Sequence, residues 1–257
     1  MLLCRREFLK ISTGTLFLTP IITQFLLAND PPPFPLQGDS HKELGTKLQN
    51  LSGTIFVPFV IRGEKNSCKV ALTYDDGPTP GVTDVILDQL AAHNSHATFF
   101  VIGRRVQLFP DLARRIVREG HEIANHSFTH PNLSKLPSSK VFKEIEMTQK
   151  TIEDICGVTP KYFRPPYGAF RVSQGEITRN LDLQVILWSL DPEDWRLPGI
   201  TTIANRIVTN TSAGEIILCH DLHTQTALAS QLFIPRISEN YTLVSLSGLL
   251  RSSRTKL

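Results

Sequence analysis

Side chains that could bind a metal or move protons follow five apolar runs of this sequence. The runs have the length and composition of buried strands. Each is followed by aspartates, histidines or an arginine, in the segments TYDDG (73–77), HSFTH (126–130), RPPYG (164–168), DPEDW (191–195) and LCHD (218–221). Adjacent aspartates after a strand often only cap a turn or helix. Because polar residues follow five different strands, the set as a whole favours a functional site.

Two histidines and one aspartate form a candidate metal site. His126 and His130 are four residues apart, close enough to bind one ion from a single turn or tight loop. One aspartate of the DDG pair, Asp75 or Asp76, would supply the third ligand. Nitrogen and carboxylate ligands suit a borderline divalent ion such as zinc, and three protein ligands leave positions for water and substrate. Such an ion polarises a carbonyl and activates water, which is the chemistry of a hydrolase.

The same ligand set also describes the facial triad of non-haem iron oxygenases. That alternative assigns no role to the second aspartate, nor to Arg164, Asp191, Asp194 and His220.

The elements that must position these residues alternate between strand-like and helix-like periods. Seven apolar runs are predicted strands: VALTY, ATFFVIG, HEIAN, KYFR, QVILWSL, EIILCH and YTLVSL. Amphipathic stretches predict helices over 83–93, 110–120 and 138–157, the last ending at Gly157. Short connections between alternating elements predict parallel strands joined by right-handed crossovers, in a barrel or an open sheet. In either fold the carboxyl ends of the strands gather the site.

Composition and charge exclude several classes of protein. The chain has 257 residues, of which 41% are hydrophobic and 20% charged, as expected for a globular protein. The formal net charge of +3 includes a local excess of basic residues in the first 28, so the remainder is close to neutral. We therefore expect no nucleic-acid binding. Beyond residue 28 there are three cysteines, Cys68, Cys156 and Cys219, which allow at most one disulfide, and Cys219 is expected in the core.

Residues 1–28 are predicted to be an export signal. The basic segment CRREFLK precedes a moderately apolar stretch, and the paired Arg5 and Arg6 resemble the twin-arginine motif of bacterial export. The apolar stretch is also just long enough for an uncleaved membrane anchor. We therefore expect an exported bacterial protein, periplasmic or extracellular, or anchored in the inner membrane if the signal is not cleaved. Residues 29–66 begin PPPFP and are predicted to be a linker or extended arm without regular structure.

TYDDG, HSFTHP, RPPYG, DPEDW and LCHD, in this order, resemble the five motifs of the polysaccharide deacetylases, carbohydrate esterase family 4, which share the NodB-like domain. The resemblance covers about 69–250 and implies a catalytic domain over 67–252. It also implies a distorted (β/α) barrel of about seven strands, similar to a TIM barrel but with fewer than eight complete units.

The resemblance assigns a role to each matching residue. Asp75 would be the base and Asp76 the metal ligand, together with His126 and His130. Adjacent residues on an extended chain point to opposite sides, which agrees with separate roles for the two aspartates. The remaining roles are Arg164 orienting the base, the Tyr167 backbone N–H binding the oxyanion, His220 as the acid, Asp194 tuning His220, and Trp195, Leu218, Pro165 and Pro166 lining the substrate pocket. Two positions depart from the family pattern, Tyr74 for Phe and Cys219 for a larger residue.

The implied activity is metal-dependent removal of N-acetyl groups from N-acetylglucosamine residues of a cell-envelope polysaccharide. Zn²⁺ is the expected ion, with Co²⁺ or Ni²⁺ possible. Peptidoglycan is the first expected polymer, and Tyr167 favours glucosamine over the muramic residue, for which the family tends to carry Arg at this position. Chitin oligosaccharides, poly-N-acetylglucosamine and O-acetylated xylan stay open as substrates. A catalytically silent glycan-binding module is the alternative of another class. We expect a monomer that contacts a membrane only through an uncleaved N-terminal segment.

Overall fold

The computed structural model describes residues 59–250. The predicted export signal, residues 29–58 of the predicted arm and the last two residues of the predicted domain lie outside them. Eight strands are present in the described part: β1 (Phe59–Val60), β2 (Lys69–Asp75), β3 (Ala97–Val101), β4 (Glu122–Asn125), β5 (Tyr162–Phe163), β6 (Gln184–Ile186), β7 (Ile216–His220) and β8 (Thr242–Leu243). Each of the seven predicted runs overlaps one of them.

Eight α-helices accompany these strands in residues 59–250. They are α1 (Thr83–Ala92), α2 (Gly103–Leu108), α3 (Pro110–Arg118), α4 (Ser138–Cys156), α5 (Gly175–Asn180), α6 (Ile200–Asn210), α7 (Thr224–Ser238) and α8 (Leu246–Leu250). The three predicted helices correspond to α1, α3 and α4. Helix α4 ends where predicted, because Gly157 takes a left-handed conformation with φ of 70°. None of these helices combines the length and hydropathy that a membrane-spanning segment requires.

All strand pairs of the sheet are parallel, in the order β1-β6-β5-β4-β3-β2-β7, and β8 pairs with the start of β2. An isolated bridge from Arg62 to Glu215 joins the two ends of this order, and a second bridge joins Leu190, which follows β6, to Ile217 of β7. The sheet therefore curls into a distorted (β/α) barrel, which confirms the predicted fold class.

Strand β1 corrects the expectation that residues 29–66 lack regular structure. Phe59 and Val60 pair in parallel with Val185 and Ile186 of β6. Phe59 is buried in a cluster that includes Phe163. A strand of two residues is too short to show a period, so the sequence pattern did not reveal it.

Alternate residues of the strands pack on the two faces of the barrel wall. Ala71, Phe100 and Ala124, from β2, β3 and β4, belong to one cluster with α8. Leu72 and Tyr74 belong to the cluster that includes helix residues such as Ile86 and Phe233. Since successive side chains of a strand point to opposite faces, β2 directs Ala71, Thr73 and Asp75 to the barrel interior.

Candidate active site

The two adjacent aspartates lie where β2 ends. Asp75 is the last strand residue, is only 3% exposed, and is in register with Phe100 of β3 and His220 of β7. Asp76 follows with φ of 77°, in the left-handed region, so it has left the extended strand. The side chains of the two aspartates are therefore separated by a change of backbone direction, rather than by the alternation of a continuous strand.

Arg164 holds Asp75 from within the barrel. Its guanidinium is completely buried and donates to Asp75 Oδ1 at 2.7 Å. It also donates to Thr73 Oγ1 at 2.8 Å and to the Leu187 carbonyl at 2.9 Å, and it lies 4.1 Å from the centre of the Phe100 ring. A buried guanidinium needs such partners because an unpaired buried charge is costly. The pair keeps Oδ1 of Asp75 occupied and leaves Oδ2 3.7 Å from His126 Nε2.

Asp76, His126 and His130 form the candidate metal site. One ligand atom from each lies within 4.8 Å of the others. Asp76 Oδ1 is 3.5 Å from His126 Nε2 and 3.1 Å from His130 Nε2. His126 Nδ1 donates to the Arg164 carbonyl at 2.7 Å, which orients the ring so that Nε2 faces Asp76.

Charges in this cluster shift its protonation equilibria. Burial alone would raise the pKa of Asp76, but the two imidazoles outweigh it and hold the pKa well below its usual range. Burial alone would lower the pKa of His126, but Asp75 and Asp76 raise it above its usual value. Asp76 is therefore an anion that both histidines face.

The fit to a divalent cation can be tested on one atom. Asp76 Oδ1 is buried and makes no hydrogen bond of good geometry among the described residues, although the Nε2 atoms of both histidines lie near it. Burial of an unsatisfied carboxylate oxygen is costly unless a cation or a donor meets it. Two imidazole nitrogens and this oxygen are a donor set that suits zinc and chemically similar ions.

His220 and Asp194 form a second charge pair. His220 Nδ1 donates to Asp194 Oδ1 at 2.7 Å, and the backbone N–H of His220 donates to Asp194 Oδ2 at 2.8 Å. Burial disfavours the imidazolium, but Asp194, followed by Asp75 and Asp76, raises the pKa of His220 to about 9. The imidazole is therefore protonated near neutral pH and can donate a proton from Nε2.

Two further aspartates of these motifs have structural contacts. Asp191 accepts from the backbone N–H of Glu193 at 2.7 Å, and burial raises its pKa. Asp221 is completely buried and accepts from Thr83 Oγ1 at 2.6 Å, while burial, with smaller effects of Asp76 and Asp75, raises its pKa to about 7. A Cβ at Gly77 would overlap the Asp221 carboxylate, so glycine is needed in the DDG turn.

The remaining predicted residues surround this end of the barrel. Tyr167 lies in a tight turn with φ of 61°, where Gly168 and Ala169 donate the turn's backbone hydrogen bonds to Pro165 and Pro166. The Tyr167 ring is exposed and lies 4.8 Å from that of His130.

The predicted pocket residues differ in their exposure. Pro165 and Pro166 are buried. Leu218 is buried in β7 beside Thr73, and Trp195 is 36% exposed next to Asp194.

The two departures from the family motifs are accommodated in the core. Tyr74 is completely buried, and its hydroxyl is 3.2 Å from Ser230 Oγ of α7. Cys219 is completely buried beside Tyr74, as predicted for a core residue. Within residues 59–250, neither side chain has a hydrogen bond or ion pair with the candidate site residues Asp75, Asp76, His126, His130, Arg164, Asp194 and His220.

Sequence reasoning missed two side chains that contact this site. Thr226 of α7 is buried and donates to Asp194 Oδ2 at 2.7 Å. Glu144 of α4 accepts from the backbone N–H groups of Phe128 and Thr129, between the two histidines. Both residues lie within helices and far along the chain from their partners, so no local pattern identifies them.

The fold is a parallel (β/α) barrel, and a candidate ligand set of two histidines and one aspartate lies at the carboxyl ends of its strands. This combination is typical of proteins with a divalent-metal centre. Comparison with known proteins specifies that class further. The family model for polysaccharide deacetylase matches residues 62–186. Together with the relatives below, this shows that the chain belongs to the polysaccharide deacetylase family, as the motifs predicted.

Three relatives illustrate the range of the family. The chain is 40% identical to the peptidoglycan-N-acetylmuramic acid deacetylase PdaC of Bacillus subtilis, over 72% of this chain and 39% of that protein. A solved structure of PdaC superposes on this chain with a TM-score of 0.68, and the superposition covers 72% of this chain and 91% of the solved one. The chitooligosaccharide deacetylase of Azorhizobium caulinodans is 39% identical over 61% of this chain and 75% of the relative.

The third relative is a CE4 family pseudoenzyme from Bacillus anthracis. Its structure is 30% identical, covers 79% of this chain and 70% of the solved chain, and has a TM-score of 0.72. The chain also matches the peptidoglycan-N-acetylglucosamine deacetylase PgdA of Listeria monocytogenes. It spans about two fifths of the length of PdaC and of PgdA.

Proposed function

We propose that this protein is a metal-dependent hydrolase that removes N-acetyl groups from N-acetylglucosamine residues of a cell-envelope polysaccharide. One observation carries the proposal: the Asp76, His126 and His130 ligand set shares its end of the barrel with the Arg164–Asp75 pair and the Asp194–His220 pair. Amide hydrolysis needs a Lewis acid, a base and an acid, because an amine leaves poorly unless it is protonated.

Zn²⁺ is the proposed ion, and Co²⁺ or Ni²⁺ suit the same ligands. When bound, it would polarise the acetyl carbonyl and make the attacking water more acidic. The position of Asp76 Oδ1 supports this assignment, because this buried oxygen makes no hydrogen bond of good geometry within residues 59–250 and lies beside the two histidine Nε2 atoms. Asp76→Asn should weaken zinc binding, whereas Asp75→Asn should retain it, since Asp75 Oδ1 is bonded to Arg164. Equal zinc affinity of both variants and the parent would contradict this division of roles.

The chain's own groups supply the proton transfers. Asp75 accepts a proton from the water that attacks the acetyl carbon, and Arg164 keeps the carboxylate ionised and oriented. The backbone N–H of Tyr167 stabilises the negative charge that develops on the carbonyl oxygen. His220 donates its proton to the nitrogen as the carbon–nitrogen bond breaks, releasing acetate and a free amine. Trp195, Leu218, Pro165 and Pro166 would line the pocket for the acetyl methyl.

Peptidoglycan is the first proposed polymer, and chitin oligosaccharides and poly-N-acetylglucosamine follow. Relatives named as deacetylases of peptidoglycan N-acetylglucosamine, of N-acetylmuramic acid and of chitooligosaccharides support this range. Tyr167 favours glucosamine within it. An O-acetyl esterase acting on xylan or another polysaccharide is the second candidate, because the same ion, base and oxyanion donor serve ester hydrolysis.

The alternative to this proposal is a catalytically silent glycan-binding module, and one structural neighbour of the chain is described as a CE4 family pseudoenzyme. The full set of ligands, base and acid in this chain supports the enzyme.

The test is to incubate the purified chain with zinc and either peptidoglycan or N-acetylated chitooligosaccharides, and to measure acetate and free amine. We expect both products from the parent and neither from Asp75→Asn. Acetate from xylan, without new amines, would instead identify an esterase. Release of no acetate from any N-acetyl or O-acetyl substrate by zinc-bound protein would overturn the hydrolase proposal.

We also propose export through residues 1–28, with the catalytic domain acting as a monomer outside the cytoplasm. The paired Arg5 and Arg6 support a twin-arginine route. Replacing both by Lys should keep the protein in the cytoplasm, which cell fractionation measures. Unchanged export of this variant would contradict the proposed route.

A further inference from the structure

The loop between the two candidate histidine ligands is held in an unfavourable backbone conformation. Ser127 and His130 have φ of 65° and 60°, although neither is glycine. Left-handed conformations of such residues cost free energy and persist only where surrounding contacts enforce them. The spacing of His126 and His130 around one ion therefore depends on what holds residues 127–130.

The carbonyl groups of this loop are held by the start of α2. The backbone N–H groups of Gly103 and Arg104 donate to the carbonyls of Ser127 and Phe128, both at 3.0 Å. A Cβ at Gly103 would overlap the Phe128 ring, so the loop and this helix are in direct contact.

The N–H groups of the loop are held by side chains. Asn125 Oδ1 accepts from Ser127, and Ser127 Oγ accepts from His130, at 2.9 and 3.1 Å. The two N–H groups between them, of Phe128 and Thr129, donate to one oxygen, Glu144 Oε2, at 2.9 and 2.8 Å. The other oxygen, Glu144 Oε1, accepts from Thr129 Oγ1 at 2.8 Å.

We propose that Glu144 is a positioning residue of the metal centre: its carboxylate fixes the 127–130 loop so that His126 and His130 face one ion. This inference rests on the metal site of the proposed function. Three hydrogen bonds join one side chain of α4 to the loop, and Asn125 connects the same helix to the start of the loop through the Ile145 carbonyl at 2.9 Å. Helix α4 therefore fixes the position of the 127–130 loop through these hydrogen bonds.

A negative charge near a cation also favours binding, so the experiment separates geometry from charge. Glu144→Asp keeps the charge but is one methylene too short to reach the loop. Glu144→Gln loses the charge but keeps the reach: its amide oxygen can accept both N–H groups, and its NH₂ can donate to Thr129 Oγ1. Glu144→Ala removes both. Glu146→Ala is the matched control, because Glu146 lies on the same helix and pairs with Lys150 at 3.1 Å instead of the loop.

The measurement is zinc affinity of the purified full chain without substrate, by competition with a chromophoric chelator. We expect Glu144→Asp and Glu144→Ala to bind zinc about 10- to 100-fold more weakly than the parent, as is usual for loss of a group that orients a ligand. Glu144→Gln and Glu146→Ala should bind like the parent. Thermal unfolding of each zinc-free variant checks that it folds, and the Asp and Gln variants carry the comparison if the Ala variant does not.

The outcomes distinguish this inference from the proposed function. Parent-like affinity of Glu144→Asp, or equal weakening of Glu144→Gln and Glu144→Asp, would overturn the positioning role. A parent that binds no zinc would overturn the metal site itself. A parent that binds zinc but releases no acetate would overturn the proposed activity and leave the role of Glu144 supported or refuted by its own variants.

Discussion

At the scale of single residues, the site consists of acidic groups with different partners. Asp75 is held by Arg164, Asp76 faces two histidines, and Asp194 holds His220. Asp221 instead lies under the DDG turn, bonded to Thr83. Partner identity, more than residue type, decides which carboxylate can accept a proton, bind a cation or raise the pKa of an imidazole.

Asp194→Asn tests the proposed acid at this scale. His220 must be protonated to donate, so activity should fall as pH rises through its pKa. Among the groups that raise this pKa, Asp194 has the largest effect. Its loss should therefore move the alkaline limb of the pH–rate profile to lower pH, by about one unit or more. Steady-state kcat measured across pH checks this.

Glu193→Gln is the control for that variant. It removes a carboxylate from the same turn, but one that pairs with Arg206 and Arg196. Its alkaline limb should coincide with that of the parent. An unmoved limb in Asp194→Asn would mean that Asp194 does not tune the acid.

At the scale of elements, strand register brings the site together. Asp75 of β2 is opposite His220 of β7, and Asn125 of β4 is opposite Phe163 of β5, so His126 and Arg164 follow at the same level. Helices α4 and α7 then supply Glu144 and Thr226 from outside the barrel wall. The strands set the positions of the groups, and the helices restrict their orientation.

The end of α4 offers a prediction about this supporting element. Gly157 has φ of 70°, and a Cβ there would meet no atom within 4 Å, so a substitution would cost only backbone strain. Gly157→Ala should lower the free energy of unfolding by about 1 kcal/mol, and Gly157→Asn by less, because Asn tolerates this conformation better. Urea denaturation with an unchanged m-value measures both. An Ala variant as stable as the parent would show that the helix ends differently in solution.

At the scale of the whole molecule, the barrel depends on its first strand. Strand β1 covers the outer edge of β6, and Arg62, which follows β1, pairs with Glu215 at 2.8 Å across the gap to β7. This contact connects the two ends of the strand order. Residues 59–62 therefore contact the barrel as part of the folded region that the structure describes.

Phe59→Ala tests the contribution of β1 to the whole fold. Phe59 is 7% exposed and packs in the cluster of Phe163 and Val185, so its truncation should lower the free energy of unfolding by about 3 kcal/mol. Val60→Ala, at a half-buried position of the same strand, should cost less. Urea denaturation of the two variants checks this order. A loss below about 0.5 kcal/mol for Phe59→Ala would place β1 outside the cooperative unit.

The sequence alone determined the family, the strands that carry the motifs and the candidate ligand set. Those features are local: an apolar run ends, and the residues directly after it must lie at the carboxyl end of the barrel. TYDDG and HSFTH could therefore be interpreted without coordinates.

Only the tertiary structure decided which side chains meet across the fold. The family resemblance named Asp194 as the partner of His220, but the contact itself exists only in the fold, where Asp194 binds His220 while Asp191 accepts from Glu193 of its own turn. The sequence did not reveal the roles of Glu144 and Thr226 or the presence of strand β1. Their partners are distant along the chain, and neither a single side chain nor a strand of two residues produces a periodic pattern. Their roles depend on hydrogen bonds and burial that exist only once the barrel has closed.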